Sequence, residues 1–509
     1  MSVDFLSKNF PPFQVHHAKK PPRFYPDGFQ RNVIDFYFIF SDCRLRKALY
    51  LQFSYFIWPL CAMCFCSCNS NPLTKETPDT SSVEYHNDAD ALSLITDVDG
   101  FMNKSHTYNS DGMYEVIRAT DSSWANIYYT DFNSCSRQIL CNEPACAHNN
   151  DSCRSYIKDV GMLYGLFIFN DNLFIYTHAT NEYPVIFQAG LDGSDRKTFF
   201  NFSQADSPDG AIAANSTSWY YLHQDIDSTG NVVERIQCLD TVSKRVQTLY
   251  TLPQSNEITY YLTGAYNNEL IIKTNSFSPE IPTGIYSYNI TTNDFTPILE
   301  ATGNIVCRVA DEALVYWQSN QPQIIRHDLR LGTETVLYED SLLNSYASLL
   351  VSGIFDEHLV MIISSSTPLE EADWNAVSPE EKLRWKATLE DALGYEVADD
   401  LLYDELIRVN RENNAGVNIS QSEYVAVDLH GGGQQITLKG GESHALPVTI
   451  LAETPNKFCV YYDYEDVPIT LYNNEGTPYT STYRQMKTAM ISTDDFFANN
   501  PNYCYIQNQ

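Results

Sequence analysis

Positive charge is scarce in this chain, which has 32 lysine and arginine residues against 64 aspartate and glutamate residues. Residues 1–67 hold 8 of the basic and 4 of the acidic residues, so the remainder holds 24 (32 − 8) against 60 (64 − 4), a net charge near −36. Such a surface repels nucleic-acid phosphates and anionic lipid head groups. We therefore predict no nucleic-acid partner, and membrane attachment must come from an apolar segment or a lipid.

Motifs of common catalytic sites are also missing. The chain has no Gly-x-Ser-x-Gly nucleophile elbow, no His-Glu-x-x-His pair and no phosphate-binding glycine loop. Its glycine triplet at 431–433 lacks the lysine and helical pattern of such a loop and indicates a hairpin turn. Acidic pairs such as Asp399–Asp400 suit a solvated surface in a chain with this many acids. The sequence therefore nominates no catalytic residue.

The longest apolar run lies between Arg44 and Cys68, where a basic trio precedes about twenty uncharged residues that end in small residues and cysteine. This order is typical of an export signal, and Cys68 is the candidate lipid-carrying residue. The alternative is an uncleaved membrane-spanning anchor, since about twenty apolar residues suffice for one helix. Both interpretations place the chain after Cys68 outside the cytoplasm. Residues 1–43 are an N-terminal extension, explained by a misassigned start or by a cytoplasmic tail.

Residues 69–90 form a polar linker whose composition is typical of a tether. The chain beyond it is rich in strand-forming residues, and 13% of all residues are aromatic, which indicates a folded domain. More than 400 residues are many for one compact core and suit a repeat architecture or two domains.

A strand pair recurs along residues 91–509. Each copy has an apolar strand, a polar gap and a second strand that leads into a turn beginning with Asp or Asn. The turn residues are Asp131, Asp192, Asp240, Asn289, Asp328 and Asp428, with a weaker copy ending at Asp494. Spacings of 39–61 residues are typical of propeller blades, apart from one gap of 100. We predict an all-β fold, a β-propeller of seven blades (six to eight), with a pair of β-sandwiches as the alternative.

The gap of 100 residues contains an insertion at 368–412. Ser378-Pro379-Glu380-Glu381 has the pattern of a helix N-terminus, and leucines then recur at helical spacing. We predict two short helices on a loop within one blade. The insertion is either a partner-binding element or a lid over the end of the propeller.

The densest chemical motif comprises Cys141, Cys146, His148 and Cys153. Three thiols and an imidazole within thirteen residues can bind one Zn²⁺ ion tetrahedrally, although this spacing is not a common zinc pattern. Exported proteins more often pair their cysteines, and Cys135 supplies a fourth thiol for two local disulfides. Structural zinc, disulfides and free thiols all remain open. The scattered Cys238, Cys307, Cys459 and Cys504 suit a strand core.

Aromatic residues offer a second candidate surface. Trp219, Tyr260 and Tyr461, with their neighbouring tyrosines, can line a propeller mouth, where aromatic faces suit sugar rings and peptide side chains. Alternatively, they pack between blades.

The chain resembles uncharacterised β-propeller lipoproteins of monoderm bacteria, which are related to TolB-like propellers. The features that carry this resemblance are the Cys68 signal, the strand repeats that end in Asp and the cysteine cluster at 141–153. The resemblance covers residues 110–509 and implies a surface binding or scaffolding role. We therefore expect a lipid-anchored protein on the extracellular face of the cell membrane, which binds a glycan, a peptide or an envelope protein without catalysis. The alternative is a secreted propeller hydrolase or lyase acting on polysaccharide or peptide.

Overall fold

A computed structural model of the protein describes residues 91–508 apart from short gaps. These gaps are 99–104, 119–123, 159–162, 179–182, 204–205, 254–256, 277–280, 302, 311, 320, 344–346, 370–373, 376, 378, 413–417, 442–446 and 473–477. The predicted extension at 1–43, signal or anchor at 44–68 and linker at 69–90 lie outside the described residues. Among the helices that are described, none combines the length and apolarity needed to cross a bilayer.

The described strands form seven antiparallel sheets, which are the blades of a propeller. A short strand, β1 (Ser93–Leu94), precedes them. Blade 1 has β2 (His106–Tyr108), β3 (Gly112–Arg118), β4 (Trp124–Asp131), β5 (Ser136–Ile139) and β6 (Tyr156–Lys158). Blade 2 has β7 (Leu163–Phe169), β8 (Asn172–His178), β9 (Val185–Gly190) and β10 (Lys197–Asn201). Blade 3 has β11 (Ile212–Ala214), β12 (Ser218–Ile226), β13 (Val232–Asp240) and β14 (Arg245–Thr251).

The remaining blades repeat the same four-stranded meander. Blade 4 has β15 (Ile258–Tyr266), β16 (Glu269–Ser276), β17 (Thr283–Asn289) and β18 (Phe295–Ala301). Blade 5 has β19 (Ile305–Ala310), β20 (Ala313–Gln318), β21 (Gln323–Asp328) and β22 (Glu334–Glu339). Blade 6 has β23 (Ala347–Phe355), β24 (His358–Pro368), β25 (Asn418–Asp428) and β26 (Gly433–Gln435). Blade 7 has β27 (Thr449–Thr454), β28 (Lys457–Tyr472), β29 (Pro478–Ser492) and β30 (Cys504–Tyr505).

The prediction of a seven-bladed all-β propeller is confirmed. The strand pairs recognised in the sequence are the second and third strands of the blades, and the Asp or Asn turns lead into the fourth strand. In these turns a side-chain oxygen accepts the backbone N–H two residues ahead, and in most of them also the one three residues ahead. Asp131 does so from Asn133 and Ser134, and Asp240 from Val242 and Ser243. These local hydrogen bonds explain why Asp and Asn recur there.

The core consists of seven apolar clusters, one at each junction between neighbouring blades. Successive residues of a middle strand contribute to opposite junctions because side chains alternate across a sheet. Met113, for example, packs in the junction of blades 7 and 1, whereas Tyr114 packs between blades 1 and 2. A blade therefore buries both faces only when it has a neighbour on each side.

The ring closes between blades 7 and 1. The innermost strands β27 and β2 are in contact, and one apolar cluster joins the two blades. At the outer rim, the chain continues from β30 into β31 (Gln507–Asn508), which pairs in parallel with β5 of blade 1. At the inner rim, β1 pairs with β11 and extends blade 3 towards the centre. Segments from both ends of the described chain thus complete the sheets.

The predicted helical insertion is also present. It contains α1 (Pro379–Leu393) and α2 (Leu402–Glu412) and interrupts blade 6 between β24 and β25. Trp374 stacks on Trp385 of α1 with ring centroids 6.0 Å apart. A third short helix, α3 (Thr493–Phe497), follows β29 and begins at the N-cap Ser492, whose Oγ accepts the Asp495 N–H. Whether the insertion binds a partner or acts as a lid stays a prediction.

Close packing of two inner strands gives a first test of the fold. A Cβ atom on Gly264 of β15 would lie 2.2 Å from Val309 Cγ2 of β19. We expect Gly264→Ala to lower the free energy of unfolding by about 1–3 kcal/mol, because the inner strands of blades 4 and 5 must separate. Urea denaturation measures the change. Val309→Ala in the same chain should recover part of it, and a neutral Gly264→Ala would contradict this packing.

Candidate metal centre and the adjoining groove

The Cys/His loop, residues 141–154, interrupts the outermost strand of blade 1. Strands β5 and β6 both pair antiparallel with β4, so they are two halves of one fourth strand. The loop leaves and rejoins the sheet at a single residue. Leu140 N–H donates to Ile127 O at 2.8 Å, and Ile127 N–H donates to Ser155 O at 2.9 Å. The two ends of the loop are therefore fixed by the propeller itself.

This geometry brings the four residues of the motif together. The candidate ligand atoms of Cys141, Cys146, His148 and Cys153 all lie within 4.8 Å of one another. His148 Nδ1 is 3.3 Å from Cys153 Sγ. Two non-glycine residues adopt left-handed backbone conformations here, Ala145 at φ 62° and His148 at φ 53°. These values are costly for side chains with a Cβ atom, so the loop needs compensating contacts.

Cys153 is the buried member of the set. Its Sγ lies 3.1 Å from Ser155 Oγ, which in turn is 3.0 Å from Asn126 Oδ1 on β4. Burial alone raises the pKa of the Cys153 thiol, but hydrogen bonds from Ser155 and His148 outweigh it and lower this pKa to about 6. Asn126 and Ser155 thus connect the loop to the blade through polar contacts.

None of the described cysteines forms a disulfide in this structure. Cys135, the fourth thiol considered for a local disulfide, lies in the turn before β5 and interacts with Cys504 rather than with the loop. Cys238, Cys307 and Cys459 are buried in strands, as a core role requires, whereas Cys504 is exposed.

An open groove of about 790 Å³ lies between the Cys/His loop and blade 2. One wall contains the end of the loop and β6, and the other contains β9, the following turn and the start of β10. The charged lining residues are Arg154, Lys158, Arg196 and Lys197 against Asp151 and Asp195. Basic groups thus outnumber acidic ones here, the reverse of their proportion in the chain as a whole.

Arg196 joins the two walls of the groove. Its Nη1 donates to Tyr156 O at 2.6 Å, and its guanidinium lies 4.8 Å from the centroid of the Phe187 ring. Lys158 and Lys197 are exposed, whereas Arg154 forms a surface ion pair with Glu143 at 2.7 Å. The two lysines are therefore the groove cations most available to a ligand.

The aromatic residues nominated from the sequence lie elsewhere. Trp219 is fully buried between blades 2 and 3, and Tyr260 is 8% exposed between blades 3 and 4. Tyr461 packs at the junction of blades 7 and 1, where its hydroxyl donates to Glu115 Oε1 at 3.0 Å. These placements agree with the alternative of packing between blades, and the structure does not bring the three residues together.

Neither the groove nor one buried acid was predicted from the sequence. Residues 154–197 hold four basic residues against five acidic ones, so the basic lining of the groove has no local charge signal in the sequence. The acid is Glu234 of β13, which is 7% exposed and accepts hydrogen bonds from Tyr260 N and Gln224 Nε2, both at 3.2 Å. Burial raises the pKa of Glu234 to about 7. No local pattern distinguishes this glutamate from the many solvated ones.

Comparison with known proteins gives structural similarities only. No family model matches the chain, and no curated protein matches it. A prolyl endopeptidase is similar at 11% identity and a TM-score of 0.42, over 80% of this chain and 55% of that one. TolB from Acinetobacter baumannii matches at 14% identity and a TM-score of 0.29, over 50% and 61% of the two chains.

An oligogalacturonate lyase from Vibrio parahaemolyticus matches at 10% identity and a TM-score of 0.28, over 53% of this chain and 87% of that one. The chain spans about half the length of the prolyl endopeptidase it matches.

Proposed function

We propose that this protein is a non-catalytic propeller, lipid-anchored on the outer face of the cell membrane, that binds an extracellular acidic polysaccharide. The observation that carries the proposal is the cationic groove between blades 1 and 2. In a chain with a net charge of −32, a concave site with four basic and two acidic residues is a local exception. A groove of this size accommodates several units of a chain ligand.

The lining favours carboxylate-bearing sugars over other ligands. Lys158 and Lys197 offer ammonium groups to carboxylates, and Ser152, Thr177 and Thr198 offer hydroxyls to the hydroxyls of a sugar ring. The chain as a whole carries a large excess of acidic residues, so an anionic ligand is favoured at the groove cations over the rest of the surface. The other candidate ligand is an acidic peptide, which is included in the binding test described next.

We expect the full-length protein, purified in detergent, to bind polyuronic acids on a glycan array and to leave neutral glycans and acidic peptides unbound. Lys197→Glu should weaken binding roughly tenfold, about 1.4 kcal/mol, because it places a like charge against the ligand. Titration calorimetry at low and high salt measures this change, and salt should weaken the wild-type complex.

Lys439→Glu is the matched control, since Lys439 is an exposed lysine outside the groove and the substitution changes the net charge equally. Equal losses in both variants would show a general charge effect and contradict the groove. Binding confined to acidic peptides would replace the polysaccharide, and absence of any anionic ligand would reject the proposal.

The anchor is a separate part of the proposal. Its support is the signal-like segment ending at Cys68. Mass spectrometry of the N-terminal peptide should find an acylated Cys68, and Cys68→Ala should abolish acylation. An intact, unmodified segment 44–68 in the mature protein would support the membrane-spanning anchor instead.

The alternative function, a hydrolase or lyase, is favoured by one observation, the raised pKa of Glu234. A carboxyl group with a pKa near 7 is suited to proton transfer. Glu234 is enclosed between blades 3 and 4, however, and does not line the groove. Chromatography of the bound polysaccharide after long incubation separates the two functions. Shortened chains that disappear with Glu234→Gln would establish the enzyme.

A further inference from the structure

We propose that Cys141, Cys146, His148 and Cys153 bind one Zn²⁺ ion, which holds the Cys/His loop closed as a structural centre. This proposal does not rest on the identity of the ligand proposed above, although Cys153 also lines the groove. The positions of the four side chains, the lack of an apolar core in the loop and the number of thiols support it.

The ligand atoms are already near the spacing that zinc requires. In a tetrahedral site, Zn–S bonds of about 2.3 Å and Zn–N bonds of about 2.0–2.1 Å place the ligand atoms roughly 3.5–3.8 Å apart. His148 Nδ1 and Cys153 Sγ are 3.3 Å apart, and the largest separation within the set is at most 4.8 Å. Rotamer adjustments of about 1 Å suffice to complete the coordination sphere.

The loop has no apolar core to hold its conformation. Within residues 141–154, the four candidate ligands and Arg154 are the residues that are at least partly buried, and all others are exposed. Apart from the cysteines, its apolar residues are Pro144, Ala145 and Ala147, which are all exposed. In a segment without an apolar core, a metal ion bound by these four side chains would add contacts that compensate for the left-handed residues Ala145 and His148.

The number of thiols favours the metal. Three cysteines face one another, so a disulfide between any two leaves a third thiol and His148 beside it, and such a thiol promotes exchange. Cys135, which would make the number even, interacts with Cys504 instead. A metal ion uses all three thiolates and the imidazole at once.

Four protein ligands leave no open position, which is the arrangement of a structural zinc site rather than a catalytic one. Ser155 and Asn126 supply outer contacts that orient Cys153. The ion would clamp the two halves of the interrupted fourth strand and fix the wall of the groove formed by residues 151–154.

The test uses full-length protein purified anaerobically in detergent, without chelators. Elemental analysis should find one zinc per chain, and the variants Cys146→Ser and His148→Ala should each lose it. Cys307→Ser is the matched control, because Cys307 is a buried thiol between blades 4 and 5, and it should retain one zinc. The variant His148→Ala also excludes zinc bound by the cysteines near Cys68, because an ion bound there would not depend on His148.

Cobalt substitution keeps the test decisive if a variant fails to fold. Wild-type protein loaded with Co²⁺ should show the intense visible absorption of tetrahedral cobalt–thiolate coordination. A disulfide among Cys141, Cys146 and Cys153 in peptide mapping, or less than a tenth of an equivalent of metal after zinc loading, would overturn the proposal. Equal zinc content in wild type and His148→Ala would overturn it as well.

Discussion

Replacing Arg137 by methionine is expected to lower the free energy of unfolding by about 3–5 kcal/mol, the largest effect of a single substitution that we predict. Arg137 of β5 and Glu115 of β3 are both buried in blade 1, with 3.1 Å between Nη2 and Oε2. The contact is an ion pair by distance, without the alignment of a hydrogen bond. Removing the guanidinium leaves a carboxylate enclosed in the protein without its countercharge.

The same network joins blade 1 to blade 7. Arg137 Nε donates to Thr130 Oγ1 at 3.2 Å within blade 1, and Arg137 Nη2 donates to Thr488 Oγ1 of β29. Glu115 accepts the hydroxyl of Tyr461 from β28. These contacts lie where the ring closes, so their loss should weaken the junction that holds the first blade to the last.

Urea denaturation of wild type and Arg137→Met measures the effect. The matched control is Arg330→Met, because Arg330 forms an exposed ion pair with Glu312 at 3.7 Å and should contribute less than about 1 kcal/mol. Adding Glu115→Gln to Arg137→Met should restore part of the stability, since it removes the unpaired charge. Similar losses for Arg137→Met and Arg330→Met would contradict the buried network.

The second large effect is a dependence of stability on pH caused by Glu234. Burial raises the pKa of this carboxyl to about 7 in the folded protein, whereas an unfolded glutamate has a pKa near 4.3. The folded state therefore binds the proton more tightly, and its stability falls as pH rises from about 4.5 through 7. The group should make the protein about 2–3 kcal/mol less stable at pH 8 than at pH 5.

Glu234→Gln isolates this contribution from other titrating groups. The variant keeps an oxygen for Tyr260 N–H but cannot ionise, so it should exceed wild type in stability at pH 8 and match it near pH 5. Denaturation midpoints of both proteins across pH 5–8 provide the measurement. A wild-type-minus-variant difference that stays constant over this range would show that Glu234 keeps an ordinary pKa.

The sequence by itself determined the two middle strands of each blade. The second and third strands are apolar on both faces, because both faces are buried, and Asp or Asn marks the turn after the third strand through local hydrogen bonds. The helical insertion was equally predictable, since proline at the first helical position and recurring leucines are local signals. The outer strands could not be predicted in this way. Residues such as those of β14 (Arg245–Thr251) are mostly exposed, so their sequence has no distinctive alternation of apolar and polar residues.

The candidate sites could be predicted in part from the sequence, and the rest required the tertiary structure. Spacing alone identified Cys141, Cys146, His148 and Cys153, since all four lie within thirteen residues, but it left metal and disulfide open. Tertiary structure decided which thiols of the loop face one another, because the two ends of the loop meet at Ile127. It also decided that Cys135 faces Cys504, because the C-terminal segment returns to blade 1, where Gln507 N–H donates to Cys135 O at 3.0 Å. The groove and the enclosure of Glu234 form only where two blades meet, and the Arg137–Glu115 pair joins two strands of blade 1 at its junction with blade 7. Contacts between residues far apart in sequence carry no local pattern, so only the folded ring could place them.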